Sequence, residues 1–188
     1  MYTKSFIAVL AATAVSAAPV VNVVREDNLQ PWQIMQLLTH TPSGRPGNNL
    51  HSTLNITIHD PNVIPAAQSP TDQAVFPATT ATCSLQYLTS ADVPWGVQQP
   101  CTMDDNTKAY STWVFTINKP AEGTPDASTN FDLSFKLVDN VYEVAQNVTK
   151  TFVGGDHFEV GVNMGGQCGG SGVCNWHLNG TPYEIQQK

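Results

Sequence analysis

Phe131-Asp132-Leu133-Ser134-Phe135-Lys136-Leu137 decides the fold. Apolar and polar residues alternate strictly, so a strand places Phe131, Leu133, Phe135 and Leu137 on one face and Asp132, Ser134 and Lys136 on the other. A helix would scatter the same apolar residues around its circumference. Downstream, Asp139-Asn140 supplies turn chemistry, and Tyr142, Val144, Gln146 and Val148 resume the alternation, which predicts a hairpin with a two-residue turn. Upstream, Leu50, Ser52, Leu54, Ile56 and Ile58 alternate with His51, Thr53, Asn55, Thr57 and His59, a second half-buried strand.

Further strands are expected at Trp32 to Thr39, Thr79 to Leu88, Trp113 to Asn118, Phe158 to Met164, Val173 to Leu178 and Tyr183 to Gln187, and no helix is expected. Proline and glycine mark loops at Pro42-Ser43-Gly44-Arg45-Pro46-Gly47 and at Lys119-Pro120-Ala121-Glu122-Gly123-Thr124-Pro125. The stretch from Asp60 to Thr80 holds Pro61, Pro65, Pro70 and Pro77 among few core-type residues, and reads as a long exposed loop at about 60–80. Many short, punctuated strands predict an all-β chain: a single-domain antiparallel β-barrel or sandwich over residues 31–188, after a short N-terminal segment, 18–30.

Lys4 precedes an uncharged run from Phe6 to Val15, followed by the small residues Ser16, Ala17 and Ala18. This pattern predicts a signal peptide over 1–17, cut after Ala17. The run is shorter than the roughly 20 residues that span a bilayer, so a secreted, extracellular protein with no membrane partner is expected. Removing residues 1–17 removes Lys4, leaves 7 basic and 15 acidic residues and takes the formal charge from -7 to -8. An acidic chain disfavours nucleic acid, whose phosphates reward positive surfaces.

Cys83, Cys101, Cys168 and Cys174 form an even set, which in an oxidising compartment reads as two disulfides. Of the three possible connectivities, the sequential one, Cys83 with Cys101 and Cys168 with Cys174, links neighbouring strand segments across the turns Ser90 to Gly96 and Gly169 to Gly172. Loop entropy assigns the bridges roughly 3 and roughly 2 kcal/mol. N-glycosylation sequons stand at Asn55, Asn147 and Asn179. Asn55 and Asn147 fall on the solvent parity of their strands, whereas Pro182 directly after Thr181 hinders Asn179.

Taken in order, Trp32-Gln33-Ile34, Pro42-Ser43-Gly44, Leu54-Asn55-Ile56-Thr57-Ile58, Ala81-Thr82-Cys83-Ser84, Cys101, Phe131 to Leu137, Tyr142 and the close pair Cys168 and Cys174 resemble the secreted fungal family of the major Alternaria allergen. The resemblance runs roughly from Trp32 to Trp176. It implies a small β-barrel with two intramolecular disulfides, an allergen and candidate fungal effector in plant-pathogen interaction. It also implies a non-catalytic protein that binds plant defence proteins or small phenolics. Members similar to the allergen carry an additional cysteine near the mature start that links a dimer, and this chain has none between Ala18 and Cys83, so a monomer or non-covalent dimer is expected. The Asp60 to Thr80 segment is also longer than the equivalent connection in the allergen.

Catalytic chemistry finds little support in the residues. Gly169-Gly170-Ser171-Gly172-Val173 lacks the last glycine of the G-x-S-x-G elbow and lies between Cys168 and Cys174, where glycines serve a turn. His157 and Glu159 share a strand parity beside Asp156 and could approach one ion, but no third ligand stands near in sequence, so no metal or other cofactor is expected. His51 and His59 share a face but stand roughly 27 Å apart at about 3.4 Å per residue. Asp104-Asp105-Asn106 reads as a turn rather than as a glycosidase pair. The chain is therefore not expected to be an enzyme.

Trp32, Trp113 and Trp176 lie in strand patterns and read as core. Trp95, between Pro94 and Gly96 inside the first disulfide loop, is a candidate binding aromatic, against the alternative that it folds back over the barrel mouth. Three functions follow as expectations. The leading one is a secreted β-barrel acting at a host interface on a plant extracellular protein or cell-wall component. The alternatives are a carbohydrate or cell-wall binder, and a carrier of a small apolar ligand.

Overall fold

The computed structural model describes residues 28–47, 49–66, 75–89, 93–104, 106–143 and 146–188. The expected signal peptide, 1–17, and most of the 18–30 segment lie outside the described residues. Among the described residues the strands follow in order: β1 (Trp32–Thr41), β2 (His51–Asp60), β3 (Ile64–Pro65), β4 (Val75–Phe76), β5 (Thr79–Leu88), β6 (Gln98–Pro100), β7 (Thr102–Met103), β8 (Ser111–Asn118), β9 (Asn130–Glu143), β10 (Gln146–Glu159), β11 (Met164–Cys168), β12 (Cys174–Leu178) and β13 (Tyr183–Ile185). The chain is all-β, and every strand pairing among the described residues is antiparallel.

The first sheet runs β11-β12-β1-β2-β5-β7, with β13 also paired to β1, and the second runs β10-β9-β8-β6. Their apolar faces meet. Phe131, Leu133, Phe135 and Leu137 of β9 and Trp113, Phe115 and Ile117 of β8 pack against Leu54, Ile56 and Ile58 of β2 and Trp32 and Ile34 of β1. At the centre, the Trp32 and Trp113 rings meet edge to face at 4.7 Å, both fully buried. Trp113 Nε1 donates to Thr79 Oγ1 at 2.9 Å, which satisfies the polar end of that indole.

Two segments stitch the sheets together along their edges. On one side a single extended segment pairs with β8 as β6, passes Cys101, and pairs with β5 as β7. Cys101 N donates to Trp113 O at 2.9 Å, and its sulfur bonds Cys83 of β5. The disulfide thus fixes the point at which the strand changes sheets. On the other side, β13 pairs with β1, and the chain then bridges Gln187 to Gly154 of β10. An added Cβ at Gly154 would meet Gln186 O and the Trp32 ring, so the close crossing there requires glycine. The second disulfide, Cys168–Cys174, closes the β11–β12 hairpin.

Several expectations need correction. Strand β9 runs straight through Asp139-Asn140, so the turn is not there. Asp139 is only 2% exposed and lies opposite Ser111 and Lys150, and Asn140 N donates to Tyr110 O at 2.7 Å, so both residues are held by strand partners. The ladder instead continues to Glu143 opposite Gln146, and Val144 of the expected alternation lies outside the described residues. Phe158 to Met164 is not one strand but the end of β10, a turn with Gly161 at φ 92°, and the start of β11.

The segment read as a long exposed loop is also different where it is described. Ile64, Ala66 and Phe76 are buried in the core, and Ile64–Pro65 pairs with Val75–Phe76. Residues 67–74 lie outside the described residues. Asp60, at the start of this segment, is buried and accepts from Asn62 N at 2.9 Å, while Asn62 Oδ1 accepts from Gln30 N at 2.9 Å. The buried polar side chains Asp60 and Asn62 are thereby hydrogen-bonded, as burial requires.

Candidate binding site

The outer face of the second sheet carries an open concavity of about 780 Å³. Its floor is made by residues on the solvent parity of β8, β9 and β10, among them Val114, Thr116, Ser134, Lys136, Val153 and Gly155. Gln186, Gln187 and Lys188 lie beside β10 at its margin, and Gly155, where an added Cβ would meet the Leu133 carbonyl, lets β10 lie close against β9. Asp132 and His157 close one end.

Those two residues face each other across the β9–β10 register. His157 Nδ1 lies 2.7 Å from Asp132 Oδ1, and Nε2 lies 3.5 Å from Glu159 Oε2. Behind them, Tyr183 Oη donates to Asp156 Oδ2 at 2.7 Å, and Asn163 Nδ2 donates to the His157 carbonyl at 2.7 Å. Asn163 Oδ1 accepts from Glu159 N at 2.9 Å, so one amide side chain ties the β10–β11 turn to the histidine strand. Burial raises the Tyr183 pKa, and its bond to Asp156 raises it further, so the phenol keeps its proton and remains a donor.

The His157 pKa is raised above 6.5, first by its bond to Asp132 and then, against some desolvation, by Glu159. A raised histidine stabilises the fold fully below the unfolded value of 6.5 and loses that contribution as pH rises through the folded value. With the side chain 40% exposed, solvent screening holds the effect below about 1 kcal/mol. Asp132→Asn is expected to move the His157 midpoint back toward 6.5 in an NMR titration of the ring carbons. An unchanged midpoint would remove Asp132 as the cause.

Of the residues singled out from sequence, His157 and Glu159 do come together, whereas Asp156 points to the other side and serves Tyr183. Asp132 and Tyr183 were missed. Their partners lie 25 and 27 positions away, and only strand register brings them close. Among the described residues, no three His, Cys, Asp or Glu side chains are placed to hold a metal ion. His51 Nδ1 sits 3.1 Å from Asn49 Oδ1 and His59 Nδ1 2.9 Å from Thr80 Oγ1, each with its own neighbour.

Ser171 lies at the exposed tip of the Cys168–Cys174 loop, where Gly172 N donates to Gly169 O at 2.9 Å to make a tight turn. Asp104 caps a turn, accepting from Asn106 N at 3.1 Å and from Thr107 N at 2.9 Å, and bonding to Thr107 holds its carboxyl below the usual range. Asp105 lies outside the described residues. Trp95 is half-buried and packs against the core, beside Gly96 at φ 74°. Trp32 and Trp113 are core, and Trp176 is partly buried against it. Asn147 and Asn179 are exposed, and Asn55 is half-buried in the middle of the first sheet.

No helix among the described residues is long and apolar enough to cross a membrane. The two disulfides fit an oxidising compartment. No protein family model matches this chain, and neither a curated protein nor a solved structure matches it.

Proposed function

We propose that this chain is a secreted, non-catalytic fungal protein that acts at a host interface, with the outer face of the second sheet as its contact surface for a plant extracellular component. The observation that supports the non-catalytic reading is the placement of His157. Nδ1 lies 2.7 Å from Asp132 Oδ1 and Nε2 3.5 Å from Glu159 Oε2, so both ring nitrogens already face carboxylates of this chain. The host-directed part rests on the resemblance carried by the ordered segments from Trp32 to Trp176. Export is supported by the Lys4 to Ala18 pattern and by the paired cysteines.

A carbohydrate or cell-wall binder is the second reading, favoured by the hydrogen-bonding lining of Gln98, Thr116, Ser134 and Gln186. The third, an enclosed apolar ligand, has less support, since Trp32, Trp113, Phe115, Phe131 and Phe158 fill the space between the sheets. Infiltrating the purified glycosylated protein into leaves of several species tests the proposal. Cell death or defence output that disappears in a reduced, alkylated control is the expected result. Silence in every species, with retention on chitin or β-glucan, would move the function to wall binding.

A further inference from the structure

Tyr142 is 72% exposed, the most exposed large aromatic or aliphatic side chain among the described residues. It stands near the end of β9, directly opposite Asn147 of β10. Residues opposite one another in an antiparallel pair share a face, with Cβ atoms about 4.5–5.5 Å apart. Asn147 opens the sequon Asn147-Val148-Thr149, and Asn147 and Thr149 are both exposed on that same face. The amide to be modified and the hydroxyl that an oligosaccharide transferase reads are therefore presented together.

At the other two sequons the asparagine side chain is hydrogen-bonded within the fold, and Asn55 is only half exposed. Asn55 sits on β2, between β1 and β5, and its Oδ1 accepts from Ser84 Oγ at 3.0 Å. Asn179 Nδ2 donates to Val162 O at 3.4 Å, and Pro182 follows its threonine.

We propose that Asn147 is the principal N-glycosylation site of this protein, and that Tyr142 is the platform on which the first N-acetylglucosamine of that glycan rests. One face of such a sugar is made of C–H bonds and is apolar, and it complements the negative face of an aromatic ring. The arrangement covers a tyrosine that otherwise stands in water. It also serves the edge of the sheet: β10 is the outermost strand, and among the described residues no strand pairs with its outer side between Gln146 and Thr151. A bulky glycan there keeps another chain from adding to that edge. The assignment rests on the secretory part of the proposed function and not on any host target.

The test uses the full chain, expressed in a glycosylating yeast, with glycopeptide mass spectrometry at the three sequons. Melting temperatures are compared for the wild type, Tyr142→Ala, Asn147→Gln and the double variant. Asn147 is expected to carry the highest occupancy. Tyr142→Ala is expected to lower the melting temperature by about 2 °C when Asn147 is glycosylated and to leave the Asn147→Gln protein unchanged. Tyr142→Phe, which keeps the ring, is expected to match the wild type. A secreted chain with Asn147 bare, or an equal loss from Tyr142→Ala in both backgrounds, overturns the assignment. Retention of the unmodified chain inside the cell overturns the secretory reading and this assignment with it.

Discussion

Trp113→Ala is expected to cost about 3–5 kcal/mol of folding free energy, the largest loss from any single substitution considered for this chain. The indole is fully buried between the two sheets and meets Trp32 edge to face at 4.7 Å. Truncation leaves a cavity walled by residues of both sheets, and strand backbones held in ladders on either side have little freedom to collapse into it. It also leaves Thr79 Oγ1 without the Nε1 donor that now sits at 2.9 Å. For a chain of this size each kcal/mol moves the melting temperature by roughly 2–4 °C, so a fall on the order of 10 °C is expected in a thermal melt followed by near-ultraviolet circular dichroism. The exposed Tyr110 is the control, and its alanine variant is expected to melt like the wild type. A loss below about 1 kcal/mol at Trp113 would mean that the two sheets do not share the core described above.

Replacing Cys83 and Cys101 together by alanine is expected to cost about 3 kcal/mol, against about 2 for the Cys168 and Cys174 pair. The first bridge closes a loop with a separation of 18 and the second one of 6, so the first removes more freedom from the unfolded chain. Position adds to length. Cys83 is fully buried, and Cys101 marks the crossing of one strand between sheets. Losing that tie should loosen the β6–β7 seam, whereas losing the other loosens only the exposed end of a hairpin. Melting curves of the two double variants, with limited proteolysis of the 93–104 segment, measure both effects. Equal proteolysis of the two variants, or a larger loss from the Cys168 and Cys174 pair, would refute the seam assignment.

Which parts of this architecture could be read from the residues follows from the range over which each one is decided. The alternation in β2, β5, β8 and β9 is local, and it marked those strands; Thr79–Leu88 coincides with its expected bounds. A period of two also correctly put Asn147 on the solvent side. Asp139-Asn140 misled because turn-forming composition is also tolerated in a strand whose backbone is paired on both sides, as Asp139 is paired with Ser111 of β8 and Lys150 of β10. The bulge between Ile34 and Gln36 is equally silent in sequence, yet it turns Leu37 and Thr39 inward and leaves Leu38 outside.

The candidate site divides in the same way. His157 and Glu159 could be paired by parity alone, two residues apart on one strand. Asp132, Tyr183 and the close strand approach at Gly155 acquire meaning only when β9, β10 and the segment after β13 lie side by side.

By itself, then, the order of residues determined an all-β chain, most of its strands and the sequential pairing of its cysteines, because hydrophobic periodicity and short-range loop closure act over a few residues. Tertiary structure alone decided the two stitched seams, the burial of Ile64 and Phe76, the clamp on His157 and the juxtaposition of Tyr142 with Asn147. Each of those depends on which strands become neighbours and in what register. Register is set by the best total burial of both faces rather than by any single segment.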